Sequence, residues 1–283
     1  MATIRTLLNL GRAGTLPTVW SNCLAGWWLG GHENTGDLPF LFAGTTFLYL
    51  GGAFLNDAFD ADYDKEYRRT RPIPAGAISP QTAWRWGLAL LVSGAVLLFV
   101  PGAATGGLGL ALVLFILLYD ALHRLFPFSP VLLGICRFFL YTIGAAAAAH
   151  EVTGWSIWCG LALAAYVTGV GIFLRWERTA KPPDYWPVAL LAVPILLALL
   201  IDNGEYRGSG LLLSAIVALW ILRALRQFFW SLEPSFAQTV SDLQAGIVFV
   251  DWLAAADGPR PLSAIFIGLF LATLALQRVF PVR

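Results

Sequence analysis

The chain alternates long apolar stretches with short polar gaps. The apolar stretches run roughly 17 to 25 residues, the length that crosses a bilayer as a helix. Ten can be laid along the sequence, at 13–31, 38–57, 81–101, 104–122, 130–150, 154–174, 185–201, 208–226, 237–256 and 262–279. Asp242, Gln244 and Asp251 interrupt the ninth, which reads as a bundle-facing helix, a re-entrant piece or an interfacial one. Nine or ten crossings follow. The expected fold is all-α, a polytopic transmembrane helical bundle forming one domain over 1–283.

Composition narrows the classes further. Of 283 residues, 58% are hydrophobic and 12% charged, more apolar surface than a soluble domain can hide. A net charge of +1 without any block of Lys and Arg gives no basis for a nucleic-acid partner. Cys23, Cys136 and Cys159 are odd in number, far apart and each inside an apolar run, so they read as small buried hydrophobes rather than a disulfide or zinc framework. The first residues lack a signal-peptide layout, and the N-terminus is read as mature. No internal repeat hints at the duplicated halves of many transporters.

Orientation follows from the gaps. With Met1 in the cytoplasm, one set of gaps and the termini holds Arg5, Arg12, Lys65, Arg68, Arg69, Arg71, Arg124, Arg175, Arg178, Lys181, Arg223, Arg226, Arg278 and Arg283, whereas the opposite gaps hold only Arg207 and Arg260. Arg85 and Arg137 fall within the first turns of spans that start on the cytoplasmic side. This positive-inside bias predicts an integral protein of the inner or plasma membrane, in contact with membrane lipids, with a polar chamber facing the cytoplasm.

The longest polar gap, 58–80, follows the segment Asn56-Asp57-Ala58-Phe59-Asp60-Ala61-Asp62-Tyr63-Asp64. If the second-span helix continues through it, at about 100° per residue Asn56, Asp57, Asp60 and Asp64 share an arc of about 100°, and Asp62 points away. Carboxylates gathered beside a low-dielectric bilayer repel one another unless a cation neutralises them. Oxygen-only ligands favour a hard ion such as Mg2+, which binds through a few carboxylates plus substrate phosphates. Lys65, Arg68, Arg69 and Arg71 follow, suited to grip a diphosphate.

The N-D-x-x-D-x-x-x-D spacing, followed by Arg71-Pro72 and Gly76 in a chain of nine or so spans, resembles the UbiA superfamily of intramembrane prenyltransferases. The resemblance implies a helical bundle around a cytoplasm-facing chamber, a Mg2+-bound isoprenoid (prenyl) diphosphate donor, and transfer of the prenyl group to an aromatic or lipid acceptor. It implies Asn56, Asp57, Asp60 and Asp64 as metal ligands. Asp57, Asp60, Asp64 and Tyr119 are the catalytic candidates. Asn56, Arg12, Arg68, Arg71, Arg124, Arg175 and Glu177 are the substrate-binding candidates. Arg12, before Leu16-Pro17-Thr18, is similar to the family's Arg and Pro opening, though a snorkelling interfacial Arg reads equally well. Tyr119 with Arg124 resembles the family's Tyr and basic residue at the end of the fourth span, while His123 reads as an interfacial polar residue.

One stretch departs from the family pattern. After the sixth span the family usually carries a second Asp-rich motif, whereas 168–179 here offers only Glu177 as a carboxylate, flanked by Arg175 and Arg178. Either a guanidinium replaces a second metal there or catalysis is lost, so a catalytically inactive relative that binds or transports an isoprenoid or lipid-linked metabolite stands as the alternative. Asp242 and Asp251, acids within an apolar region, line the acceptor end, accept a proton, or are satisfied by Arg223, Arg226 or a helix terminus. An ion-coupled transporter rests on those two alone.

Overall fold

A computed structural model describes residues 4–149, 151–176, 185–201, 204–229 and 235–280. Among them the secondary structure is helical: α1 (Ile4–Leu10), α2 (Leu16–Leu29), α3 (Leu38–Phe59), α4 (Ala61–Tyr67), α5 (Pro80–Leu98), α6 (Ala103–Leu122), α7 (Ser129–Ala149), α8 (Gly154–Trp176), α9 (Trp186–Ile201), α10 (Arg207–Phe229), α11 (Phe236–Ala245), α12 (Ile247–Ala254) and α13 (Arg260–Val279). Helix starts follow local chemistry. Proline occupies the first turn of α2, α3, α5 and α13, where no amide donor is needed, and the Ser79 hydroxyl caps α5 by accepting from the Thr82 amide at 3.1 Å.

Six described helices are long and apolar enough to cross a membrane: Thr35–Phe59, Ala103–Leu122, Ser129–Ala149, Gly154–Arg175, Arg207–Phe229 and Arg260–Val279. Their outward faces carry Leu114, Leu219, Leu222 and Leu271 exposed, as lipid contact requires. The interrupted ninth segment is two short helices, α11 and α12, meeting at Gly246. Both bury a face in the bundle, through Val240 and Leu243 on one and Val248 and Val250 on the other.

Backbone contact at glycines sets the helix spacing. A Cβ on Gly51 of α3 would lie 2.9 Å from the Gly87 carbonyl of α5, and one on Gly87 would meet Leu55 at 2.7 Å. A Cβ on Gly144 of α7 would lie 2.9 Å from the Trp27 amide nitrogen of α2. Small residues let apolar helices gain van der Waals contact where bilayer-buried surfaces have little hydrophobic drive to associate. These two contacts fix α3 against α5 and α2 against α7, and those four helices carry or support most of the polar side chains described next.

Candidate functional site

Helical hydrogen bonding runs on past the end of α3, with the Asp60 amide bonding to the Asn56 carbonyl at 3.0 Å and the Asp64 amide to the Asp60 carbonyl at 2.9 Å. Asn56, Asp57, Asp60 and Asp64 therefore share one face, and all four are buried. The Asp62 side chain is 96% exposed and pairs only with Lys65.

The following loop returns basic groups to those acids. Ile73 and Ile78 pack into a small apolar cluster with Leu10, Phe54, Ala58, Ala61 and Ala83, and Gly76 turns the chain at a φ of 74°, a conformation a Cβ disfavours. Held this way, Arg71 Nη1 sits 2.9 Å from Asp64 Oδ2, 3.2 Å from Asp57 Oδ1 and 3.7 Å from Asp60 Oδ2. One cationic nitrogen thus marks the point where three carboxylates converge. From the end of α6, Arg124 Nε donates to Asp60 Oδ1 at 2.5 Å, and its guanidinium lies 3.6 Å from the centre of the Tyr63 ring. Arg12, in a left-handed backbone turn, donates to Asn56 Oδ1 and lies 3.5 Å from Asp57.

Three further observations place the remaining candidates. Arg175 Nη1 donates to the Phe126 carbonyl at 2.5 Å and the Ser129 hydroxyl at 2.9 Å, so it ties down the turn after α6. Arg68 makes no side-chain hydrogen bond or ion pair among the described residues, and Glu177 lies outside them. Tyr119 stacks on His123 with ring centroids 5.3 Å apart.

Two members of the cluster were not selected from the sequence. His123, expected at the interface, is buried with Nε2 3.3 Å from Asp60 Oδ1. Asp120 accepts from the Asn56 amide at 2.9 Å. The available signal was their spacing: Asp120, His123 and Arg124 lie three and four residues apart at a helix end, on one side. Burial pushes the Asp60 carboxyl up, but the hydrogen bonds from His123 and Arg124 outweigh it and hold the group well below the usual carboxylate range.

The donor set fits a hard cation. It is all oxygen apart from His123, and Asp64 Oδ1 and Asp120 Oδ2 are buried acceptors without a hydrogen-bond partner among the described residues. With Arg71 among the carboxylates, no group of three His, Cys, Asp or Glu side chains in the described residues stands in a metal-holding arrangement.

Below the cluster a cavity of about 110 Å3 opens between α3, α6 and α7, lined at one end by Arg12, Asn56, Tyr119 and Asp120 and elsewhere by Gly52, Leu112, Ile116, Leu133, Leu140 and Arg137. A larger cavity of about 240 Å3, walled by Trp155, Pro194, Tyr206 and Asp257, touches none of the acidic residues of the cluster. Both intramembrane acids have partners within the fold. Asp242 pairs with Arg223 at 3.3 Å, and Asp251 accepts from Ser21, from Asn22 at 2.7 Å and from the Tyr141 hydroxyl at 2.6 Å. Of the three cysteines, all free, only Cys23 is fully buried; Cys136 and Cys159 are half-buried.

Comparison with known proteins gives a consistent picture. The chain matches the UbiA prenyltransferase family over residues 15–235. It is 31% identical over 151 residues to a 4-hydroxybenzoate octaprenyltransferase of Acidovorax ebreus, 52% of each chain. To a protoheme IX farnesyltransferase of Synechocystis it is 29% identical over 198 residues, 67% of this chain and 58% of that one. The chain thus spans about half the length of the curated relatives it matches. A UbiA homologue from Archaeoglobus fulgidus bound to GPP and Mg2+ shares the fold with a TM-score of 0.66 at 14% identity, covering 98% of this chain and 100% of that one. A digeranylgeranylglyceryl phosphate synthase structure does so with a TM-score of 0.61 at 18% identity, covering 99% of both.

Proposed function

The chain belongs to the UbiA prenyltransferase family, and from that premise we propose that it transfers a prenyl group from an isoprenoid diphosphate to an aromatic or lipid acceptor within the membrane, with Mg2+ at the diphosphate. The observation that carries this reading is the convergence of Asp57, Asp60 and Asp64 with Arg12, Arg71 and Arg124 in one buried cluster above an apolar cavity.

Asn56, Asp57, Asp60 and Asp64 would hold the ion, with the open oxygen of Asp120 as a further donor. Mg2+ supplies charge neutralisation at the leaving group when bound. Arg12, Arg71 and Arg124 bind the phosphate oxygens, and Arg68 is close enough in sequence to join them. In the cluster as it stands, acids and guanidinium groups neutralise one another. Exchanging those internal pairs for metal and phosphate partners leaves no buried charge uncompensated. Tyr119, on the cavity wall, assists departure of the diphosphate by hydrogen bonding. The apolar walls keep water from an allylic cation that it would quench to the alcohol. On this reading the basic gaps put the cluster on the cytoplasmic side.

Asp60→Ala in reconstituted protein is expected to abolish Mg2+-dependent diphosphate release. Undiminished release overturns the assignment. A second reading, a protein that binds or moves an isoprenoid without turnover, is favoured by the stretch 168–179, whose one carboxylate is Glu177 between Arg175 and Arg178. Donor bound with no product across a panel of acceptors would support it.

A further inference from the structure

The cavity of about 240 Å3 lies at the opposite end of the bundle from the aspartate cluster. α8 runs from Trp155 on its wall to Arg175 at the turn after α6, about 30 Å at 1.5 Å per residue. The walls come from α8, α9 and α12 and are apolar, with Pro194, Leu197 and Leu253 among them. Trp155 and Tyr206 line the cavity while staying 54% and 50% exposed, so they stand at its mouth. Asp257 is the one charged residue on the wall among the described residues. Its side chain makes a single hydrogen bond among them, from the Trp28 indole to Oδ1 at 2.9 Å, which leaves Oδ2 open. Two helix C-termini add to its charge. α9 ends at Ile201 and α12 at Ala254, both on this wall, and the negative end of a helix favours a cation. The opposing positive end of α8 is met by the Thr153 hydroxyl, which accepts from the Ser156 amide at 3.1 Å.

We propose that this cavity is a binding site for a zwitterionic membrane phospholipid, held by its ammonium head at Asp257 and by an acyl chain against Pro194, Leu197 and Leu253. A carboxylate beside two aromatic side chains is the chemistry that selects an ammonium, through a charge-assisted hydrogen bond and the ring faces. The apolar wall takes the chain. Charge at the rim matches the rest of the head group. Arg207 follows Tyr206 directly and Arg260 lies three residues after Asp257, and both are exposed, so a phosphate adjoining the ammonium has a guanidinium within reach. A free small amine would leave the arginines and the apolar wall unused, which favours the lipid. The site is independent of the prenyltransferase reading, because no residue of the acidic cluster lines it.

The test uses the full-length protein, delipidated in detergent and given phosphatidylethanolamine and phosphatidylglycerol of matched chains in equal amount, with native mass spectrometry counting the lipid retained. Both lipids carry the phosphate, and only the first carries the ammonium. Phosphatidylethanolamine is expected to be retained at least about fivefold more than phosphatidylglycerol. Asp257→Asn keeps an acceptor for the Trp28 indole and removes the charge, and it is expected to bring the two lipids within about twofold of each other. Ala198→Phe, which fills the cavity from α9, is expected to abolish the preference as well. Equal retention of the two lipids by the unaltered protein overturns the proposal, even where neither variant folds. So does a phosphatidylethanolamine preference that survives in folded Asp257→Asn or in folded Ala198→Phe.

Discussion

Arg71 Nη1 lies 2.9 Å from Asp64 Oδ2, on the far side of a loop that Ile73 and Ile78 pin to the bundle. The relationship makes the loop arginine a built-in counterion for the aspartates. On the proposed function the same guanidinium is also a phosphate ligand, because both roles need a positive group at the same spot. Arg71→Ala is expected to lower thermal stability of the donor-free protein, since removing one member of a buried pair costs about 3–5 kcal/mol, and to raise the KM for donor. Calorimetry and initial-rate kinetics on the same preparation check both.

Asp62 and Asp64 are two residues apart and differ completely in setting. The Asp62 side chain is solvated and the Asp64 side chain is 1% exposed. Asp62→Ala is expected to leave melting temperature and rate unchanged, because water screens the surface pair with Lys65. Asp64→Ala is expected to remove activity. Diphosphate release from the two variants, side by side, reads the difference.

Acid should act on the cluster late. Because the folded-state pKa of Asp60 lies below its unfolded value of about 3.9, its contribution is fully present above that value and is lost only as pH falls toward the folded pKa. Unfolding midpoints followed from pH 7 downward are expected to show this contribution intact to about pH 5 and declining below about pH 4. In Asp60→Asn that part of the acid dependence disappears.

Helix contact at glycine underlies the placement of Asn22 and Arg137. A Cβ on Gly26 would come within 2.8 Å of Tyr141 Cα across the α2–α7 contact, so Gly26→Val forces the two backbones apart. A loss of about 1–3 kcal/mol or more is expected, read as a lowered melting temperature. Gly268, with open space around it, tolerates Gly268→Ala.

Much of the site was legible from spacing alone, because a helix turns by a fixed angle and Asn56, Asp57, Asp60 and Asp64 have little freedom to point apart. Apolar runs likewise announced the helices that carry lipid-facing leucines. What spacing did not reveal was long-range pairing. Arg137 and Asn22 are 115 residues apart, and Asn22 and Asp251 are 229 apart. Each lies in an otherwise mostly apolar run, and the cost of leaving such groups unpaired is the signal that they meet. Arg137 was expected near a membrane surface because basic residues usually sit there, and the countercharge relayed through Asn22 is what permits it deeper. His123 was misjudged for a similar reason. Its partner, Asp60, lies 63 residues away at the end of α3, so the spacing around His123 gave no sign of the pair.

The central claim is that the carboxylate and arginine cluster binds an isoprenoid diphosphate with a divalent cation. Titration of the purified protein with geranyl diphosphate, in Mg2+ and again in EDTA, tests it most directly. The account predicts tight binding in Mg2+, weakened at least about tenfold by EDTA or by the paired substitutions Asp57→Ala and Asp64→Ala. Binding that is indifferent to both would contradict it.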